Sequence, residues 1–176
     1  STLSLGGLIL TMTGSVDVRA TAASAFNGST GVLEFVGGAD SVINTNGDLD
    51  CFTAFDLLCN KTAANVTTAS TIQIIRNFTV QATCRFLASA GSTTFIGSTS
   101  GTFANTSTAA APQIQFFDMI ISKTAGFNVN CGVDFTILGN FTQTTGNLNC
   151  GAGTITVAAG AARSWNIAVA GTVTVN

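Results

Sequence analysis

Apolar and polar residues alternate in short runs along most of this chain of 176 residues. A period of two places every second side chain on the same face of a strand. Thr, Val, Ile and Phe fill these runs, and they favour a pleated, half-buried surface. No window shows a sustained helical period. The pattern therefore predicts strands nearly throughout, the clearest being Thr71–Ile75, Phe78–Val80, Gln113–Phe116, Phe135–Ile137, Thr154–Val157 and Thr172–Val175.

Glycine and asparagine separate the predicted strands. Both residue types tolerate positive φ angles and therefore favour turns. The Ala-rich segment Thr108–Ala111 precedes Pro112, the only proline, and predicts a loop. The predicted turns lie at Gly37-Gly38, Asn46-Gly47, Gly139-Asn140, Gly146-Asn147 and Gly151–Gly153.

The chain also repeats itself, with a period of about 61 residues. Phe55–Ala63 returns as Phe117–Ala125 with five of nine residues identical, and Asn77–Thr79 returns as Asn140–Thr142. Such a period predicts stacked units within one domain. We divide that single repeat domain, residues 1–176, into a partial unit, two full units and a second partial unit: 1–30, 31–91, 92–152 and 153–176.

Short strands joined by small turns predict an all-β fold, a parallel β-helix or β-solenoid. Three strands of four to six residues with their turns need about 20 residues, so a unit of about 61 residues predicts three coils. The alternative is a tandem β-sandwich or jelly roll, for which such units are short because sandwiches need nearer 100 residues. The residues expected in the core are Phe55, Leu57, Phe78, Phe117, Met119, Ile137 and Phe141.

The composition narrows the classes of function. Only 8% of the residues are charged, the net charge is −2, and the six basic residues are scattered. Nucleic-acid binding needs clustered basic residues, so we expect none. No apolar run reaches the roughly 18 residues that span a bilayer, and the first ten residues lack the basic segment of a signal peptide.

Candidate chemistry is sparse, and we expect no enzyme, cofactor or metal site. The chain contains no His, which excludes Ser-His-Asp and Cys-His catalysis. Asp56 and Asp118 share a repeat position, but separate repeats put them farther apart than paired glycosidase carboxylates. We expect each to accept local backbone N–H bonds. Lys61 and Lys123 repeat with the same spacing and predict weak Asp–Lys pairs at the surface.

The five cysteines predict core packing rather than metal binding. None forms a C-x-x-C motif, and Cys59 aligns with Ile121 in the next unit. One disulfide stays open as an alternative, without a choice of pair. Asn44–Asp50 alternates oxygen-bearing side chains like a calcium loop but lacks the distal Glu, so we expect a polar turn there.

Residues 117–130 and 135–149 carry the phrases FDMIISKTAGFNVN and FTILGNFTQTTGNLN. This pair of phrases resembles repeats of large secreted adhesin-like β-solenoid proteins, and of phage tail-fibre and other virion β-solenoids. The chain departs from that pattern where Asp56 and Asp118 replace Asn and where Cys enters the core. The resemblance implies an extracellular or cell-surface location, or alternatively a virion.

These observations predict a non-enzymatic structural or adhesive protein that forms a stiff fibre, filament or virion appendage. One alternative is a carbohydrate-binding module, in which exposed rows of Thr and Asn together with Trp165 bind glycans. The other is a β-helical polysaccharide lyase or hydrolase. We otherwise expect Trp165 to lie in the core or close one end of the stack. The expected partner is the protein itself, head to tail or within a continuing array, through Leu3, Leu5, Leu8, Ile9, Val173 and Val175.

Overall fold

The computed structural model describes residues 2–18, 25–28, 30–45, 52–158, 163–167 and 172–175. Within these ranges every regular element is a strand, and the strands form three parallel sheets. The six predicted strands all appear, with ends that differ by no more than one residue. Thr108–Ala111 lies in the loop before Pro112, as predicted.

The first sheet has eight strands: β1 (Thr2–Ser4), β4 (Ala25–Asn27), β7 (Phe52–Ala54), β10 (Ile72–Ile74), β13 (Ser92–Gly97), β16 (Asp118–Lys123), β19 (Phe141–Thr145) and β22 (Trp165–Ile167). The second sheet also has eight: β2 (Ile9–Met12), β5 (Val32–Gly37), β8 (Asp56–Lys61), β11 (Phe78–Val80), β14 (Gly101–Asn105), β17 (Asn128–Cys131), β20 (Asn147–Cys150) and β23 (Thr172–Val175). The third sheet has seven: β3 (Val16–Asp17), β6 (Ser41–Asn44), β9 (Asn65–Thr68), β12 (Arg85–Ala88), β15 (Ile114–Phe116), β18 (Phe135–Ile137) and β21 (Ile155–Val157).

Each strand pairs in parallel with the strand three places later, so the chain winds as a β-solenoid. Gln73 pairs with Thr53 in one coil contact, and Phe52 pairs with Phe26 in another. Across the ladders the separation runs from 19 residues, between Asn128 and Asn147, to 28 residues, between Phe86 and Ile114, so the coils differ in length and most are longer than predicted. The solenoid prediction is confirmed, and the sandwich alternative is wrong because sandwiches pair their strands antiparallel.

The sequence repeat does not coincide with a whole number of coils. Phe78 lies in β11 of the second sheet, and its repeat partner Phe141 lies in β19 of the first sheet. Phe35 in β5 and Phe95 in β13 are related in the same way. The repeat thus spans eight strands, not the nine of three coils, and each second copy stops one sheet short of the position of the first copy around the solenoid.

Alternate residues of every sheet point into one continuous core. Five of the seven predicted core residues are buried, whereas Phe55 and Phe117 are half-buried in turns between sheets. Phe78 and Phe141 are equally buried, at 0% and 1% exposed, so the repeat preserves the environment although it changes the sheet. Phe116 lies at the centre of this core, with its ring 5.5–6.1 Å from those of Phe78, Phe86, Phe95, Phe103 and Phe135.

Two predicted turn glycines occupy backbone conformations that other residues rarely adopt. Gly37 has a φ of 91° at the end of β5, and Gly146 has a φ of 77° between β19 and β20. A Cβ on Gly146 would overlap the Cβ of Lys123. Glycine is therefore required there by both the φ angle and the close approach of the neighbouring coil.

Candidate functional site

The aspartate of the repeat accepts a backbone N–H bond as expected, but the donor lies in the next coil and not in the local turn. Asp56 begins β8, and its Oδ1 accepts the backbone N–H of Asn77 at 3.0 Å. The Arg76 guanidinium donates to both carboxylate oxygens, with Nε 2.9 Å from Oδ1. Arg76 also lies over the Phe55 ring, 4.5 Å from its centroid. The hydrogen bonds with Asp56 raise the pKa of Arg76, and the same carboxylate ties the start of β8 to the backbone of the next coil.

Asp118 repeats this backbone contact without the arginine. Its Oδ1 accepts the backbone N–H of Asn140 at 2.5 Å, and Asn140 is the repeat partner of Asn77. Gly139 takes the place of Arg76, and a Cβ there would overlap Oδ1 of Asp118. The carboxylate therefore fills the space that a side chain at 139 would need.

The two aspartates do not form a catalytic pair. Asp56 begins β8 of the second sheet and Asp118 begins β16 of the first, so they lie on different faces of the solenoid. The prediction that they do not act together is thereby supported by their placement. Equivalent carboxylates of successive repeats therefore do not lie in a line along one face, because the repeat shifts by one sheet.

The two lysines of the repeat are buried, and the predicted surface Asp–Lys pairs are wrong. Lys61 and Lys123 are both 0% exposed. Lys61 Nζ donates to the carbonyl of Val36 at 2.7 Å, and Lys123 Nζ donates to the equivalent carbonyl of Ile96 at 2.7 Å. Each lysine ends a six-residue strand and points inward as the third core-facing residue of that strand.

Lys123 has a richer set of carbonyl partners than Lys61. Its Nζ also donates to Thr99 at 3.0 Å and to Ile75. Burial disfavours the ammonium and lowers the pKa of Lys123 to about 8. The carbonyl groups act in the opposite direction because they favour the charged donor. The amine thus ties one coil to carbonyls of two earlier coils.

A groove of about 440 Å³ runs along the third sheet between the loop at Pro112 and the turns before β18 and β21. Gln113, Asp134, Thr136 and Thr154 supply its polar groups. Asp134 is the only acid among the described residues that line the groove, and its Oδ1 accepts the backbone N–H of Thr154 at 2.7 Å. The single carboxylate does not meet the two-carboxylate requirement of a glycosidase.

Among the described residues, no three His, Cys, Asp or Glu side chains come together to hold a metal ion. Most of the candidate calcium loop, residues 46–50, lies outside the described part of the chain, so that prediction is untested.

No helix of the described chain is long and apolar enough to cross a bilayer.

The cysteines of the described chain are core residues, as predicted. Cys59, Cys84, Cys131 and Cys150 are buried, and Cys51 lies outside the described residues. Cys131 and Cys150 sit within two copies of one phrase, Asn-(Val or Leu)-Asn-Cys-Gly, at 128–132 and 147–151. The spacing of these two phrases is a second, shorter period equal to one coil, and sequence reasoning missed it.

The strands β1, β2 and β3 form the first end face of the described solenoid. Each of them pairs on one edge only, with β4, β5 and β6. Leu3 points inward, as its ladder partner Phe26 does, yet is 55% exposed because no earlier coil of the described chain covers it. Leu8 and Ile9 are 70% and 66% exposed, whereas Leu5 is buried within its own core.

The strands β21, β22 and β23 form the last end face. Trp165 is the ladder partner of Phe141 and stacks on it with ring centroids 4.4 Å apart, while its outer side stays 44% exposed. Ile167 and Val157 occupy inward positions and are similarly uncovered. Of the two expected places for Trp165, the structure shows it on the last coil of the described chain and not in the core. Val173 is the ladder partner of buried Leu148, but its side chain and that of Val175 lie outside the described ones.

Rows of asparagine run along the outside of the second sheet. Asn147 donates to Asn128 at 2.8 Å, and Asn149 donates to Asn130 at 3.0 Å. Such ladders add side-chain hydrogen bonds between successive coils.

No known protein family, curated protein sequence or solved structure matches this chain.

Proposed function

We propose that this protein is a non-enzymatic structural or adhesive β-solenoid whose end faces stack head to tail, on a second copy or within a continuing array, to form a stiff fibre. The observation that carries the proposal is the pair of end faces: both present unpaired strand edges and uncovered inward-pointing apolar side chains within the described chain. Leu3 on one face and Trp165 on the other continue columns that are fully buried elsewhere. Open edges of this kind recruit further strands, and a head-to-tail contact that does not close makes a filament.

The pairing rule of the chain specifies how the second copy docks. Because each strand pairs with the strand three places later, β1 of the second copy continues the array on β21, β2 on β22 and β3 on β23. The copies are then related by a rotation of one sheet. The internal repeat makes the same one-sheet shift, which supports the ability of these strand types to occupy any of the three sheets.

Charge is sparse at the proposed junction. The segments 1–10 and 171–176 carry no charged residue. Asp17 in β3 accepts a hydrogen bond from Asn44 of the next coil at 3.4 Å, and exposed Arg163 precedes β22. Nothing in these segments places like charges opposite each other, and edges without like charges or proline lack the usual devices that block pairing.

The proposal extends to where the fibre acts. We propose an extracellular or cell-surface location, with a virion appendage as the alternative, and surface glycans as a second partner of the outer faces. Rows of Asn and Thr supply donors and acceptors for sugars. The groove beside Pro112 is the place where a carbohydrate-binding module would hold a glycan, since polar side chains such as Gln113 and Thr136 line it. Saturable binding of a soluble oligosaccharide by the isolated chain would favour that alternative.

The fibre proposal is tested by placing a charge on an end face. Trp165→Lys, or Val173→Lys, is expected to keep the chain monomeric, because a buried unpaired ammonium at the junction is costly. The unaltered chain should sediment as a concentration-dependent series of oligomers and appear as fibres in negative-stain microscopy. Thr102→Lys, at an exposed position of β14 in the middle of the array, is the matched control and should still assemble. An unaltered chain that stays monomeric at high concentration contradicts the proposal.

A further inference from the structure

Two core cysteines lie side by side on neighbouring strands of the second sheet. Cys131 ends β17 and Cys150 ends β20, and they are direct partners in the parallel ladder. Ladder partners are about 4.8 Å apart, within the 4.4–6.8 Å that disulfides span between Cα atoms. The two Sγ atoms lie 3.0 Å apart, so closing by about 1 Å brings them to the length of an S–S bond.

A cleft gives small reagents access to this pair. The cleft has a volume of about 380 Å³, and both cysteines line it together with Thr102, Asn130 and Asn149. A glycine follows each cysteine, at 132 and 151, so neither neighbour adds a side chain to the opening. The pair therefore combines core geometry with a route to solvent, although each cysteine is no more than 2% exposed.

The two thiols also differ in reactivity. The hydrogen bond that Cys131 donates lowers the pKa of Cys150, and the same contact raises the pKa of Cys131. The thiolate is the form that attacks a disulfide. Cys150 is therefore the attacking sulfur and Cys131 the resolving one.

We propose that Cys131 and Cys150 form a disulfide that staples the β17 coil to the β20 coil when a low-molecular-weight disulfide such as oxidised glutathione is present. The Cys150 thiolate attacks one sulfur of glutathione disulfide and releases one glutathione thiolate. Cys131, losing its proton, then attacks the Cys150 sulfur of the mixed disulfide and releases the second glutathione. Two protein thiols are oxidised to one disulfide, and one glutathione disulfide is reduced to two glutathione molecules.

A second cysteine pair provides an internal comparison. Cys84 and Cys59 are also hydrogen-bonded to each other, but Cys59 lies in β8 and Cys84 lies in the turn before β12. They belong to different parts of the coil and are not ladder partners. Burial raises the pKa of Cys59. The proposal therefore assigns the bond to the 131–150 pair and leaves Cys59 and Cys84 as thiols.

Peptide mapping of the unaltered protein tests this directly. Trypsin cuts after Lys123 and Arg163, so the peptide of residues 124–163 contains Cys131 and Cys150 and no other cysteine. After incubation of the folded chain with oxidised glutathione and alkylation, we expect this peptide without alkyl groups and lighter by two hydrogen atoms. A peptide 124–163 carrying two alkyl groups, or joined to a peptide with Cys59 or Cys84, overturns the proposal.

Thermal unfolding supplies an independent measurement. Closing a loop of this length is expected to raise the Tm of the unaltered chain by roughly 5–10 °C on oxidation. Cys131→Ala with Cys150→Ala should abolish the rise, and Cys84→Ala, the matched control, should keep it. A rise that persists in the double variant contradicts the assignment. If the double variant fails to fold, the peptide map alone decides.

Discussion

Replacing Phe116 by Ala is expected to lower the free energy of unfolding by about 3–5 kcal/mol. Phe116 is 0% exposed, and its ring contacts five other phenylalanine rings, which come from its own coil and from the coils on both sides. Truncation removes the transfer energy of the ring and leaves a cavity. It also removes aromatic contacts with Phe78, Phe95 and Phe103 that add to the loss. Denaturant titration followed by circular dichroism measures the change.

The adjacent phenylalanine is a matched control for this substitution. Phe117 is half-buried in the turn before β16. Phe117→Ala should cost only about 1 kcal/mol, because less of its apolar area is removed from water. Equal losses for the two variants would contradict the placement of Phe116 at the centre of the core.

Replacing Lys123 by Met is expected to produce the second large effect, and its size should depend on pH. Methionine fills a similar volume but cannot donate to the carbonyls of Ile75, Ile96 and Thr99. Buried acceptors without a donor cost about 1–3 kcal/mol each at most. Near pH 7 this loss is partly offset, since the variant no longer buries a charge. Near pH 10 the buried amine of the unaltered chain is neutral, so this offset is gone. We then expect the variant to lose about 2–4 kcal/mol of unfolding free energy.

The sign of the pH dependence follows from the pKa of Lys123. Burial lowers this pKa to about 8, whereas the unfolded chain keeps the ordinary value of 10.5. Between these values the unfolded state binds more protons than the folded state, so stability rises with pH. The unaltered chain should gain about 2–3 kcal/mol from this residue between pH 7 and pH 10.

Cys84 and Lys61 allow the effect of Lys123 on stability to be separated from other contributions. Cys84, whose pKa is lowered to about 7 mainly by its hydrogen bond with Cys59, gives stability that is lost as the pH falls through 7. Cys84 contributes equally to the unaltered chain and to Lys123→Met. The difference between their unfolding free energies at each pH therefore reports the titration of Lys123. Lys61→Met removes a donor to Val36 alone and should cost about 1–3 kcal/mol. A difference between the curves of the unaltered chain and Lys123→Met that does not change with pH would refute the buried titration.

The strand content and the solenoid were predictable because each strand carries its own signal. Alternation at Phe78–Val80 and Phe135–Ile137 reports which side chains face the core, and most strands between β5 and β20 show the same alternation. The placement of the repeat was not predictable from its length. The same period is compatible with eight or with nine strands, because the coils of this solenoid differ in length.

The alternation of the sequence already placed the two buried lysines on the inward face, but their charge argued against that placement. In Asp56–Lys61 the alternation places Leu57, Cys59 and Lys61 on one face. The same phase in β16 places Lys123 inward. A charged residue at an inward position usually argues for a strand end at the surface. Here the backbone of the preceding coil offers carbonyls at that point, which only the three-dimensional register reveals.

The cysteine pair was hidden for a different reason. Aligning the long units of the sequence leaves Cys131 and Cys150 without equivalents, whereas the shorter spacing of one coil brings two Asn-Cys-Gly phrases into register. Two periods coexist in one chain, the long one from repeated units and the short one from neighbouring coils. Contacts between coils follow the short period.

The eight-strand length of the repeat determines what a long array shows to its surroundings. Each successive copy of a surface motif points about one third of a turn away from the copy before it. Three copies therefore cover all three sides of the shaft. A motif that binds weakly would be displayed in every direction around the axis, and a flat target on any side would meet one of every three copies. The same rotation would give an array of these units equal bending stiffness in every direction around the axis, because no single face would contain all the bulky or all the small residues.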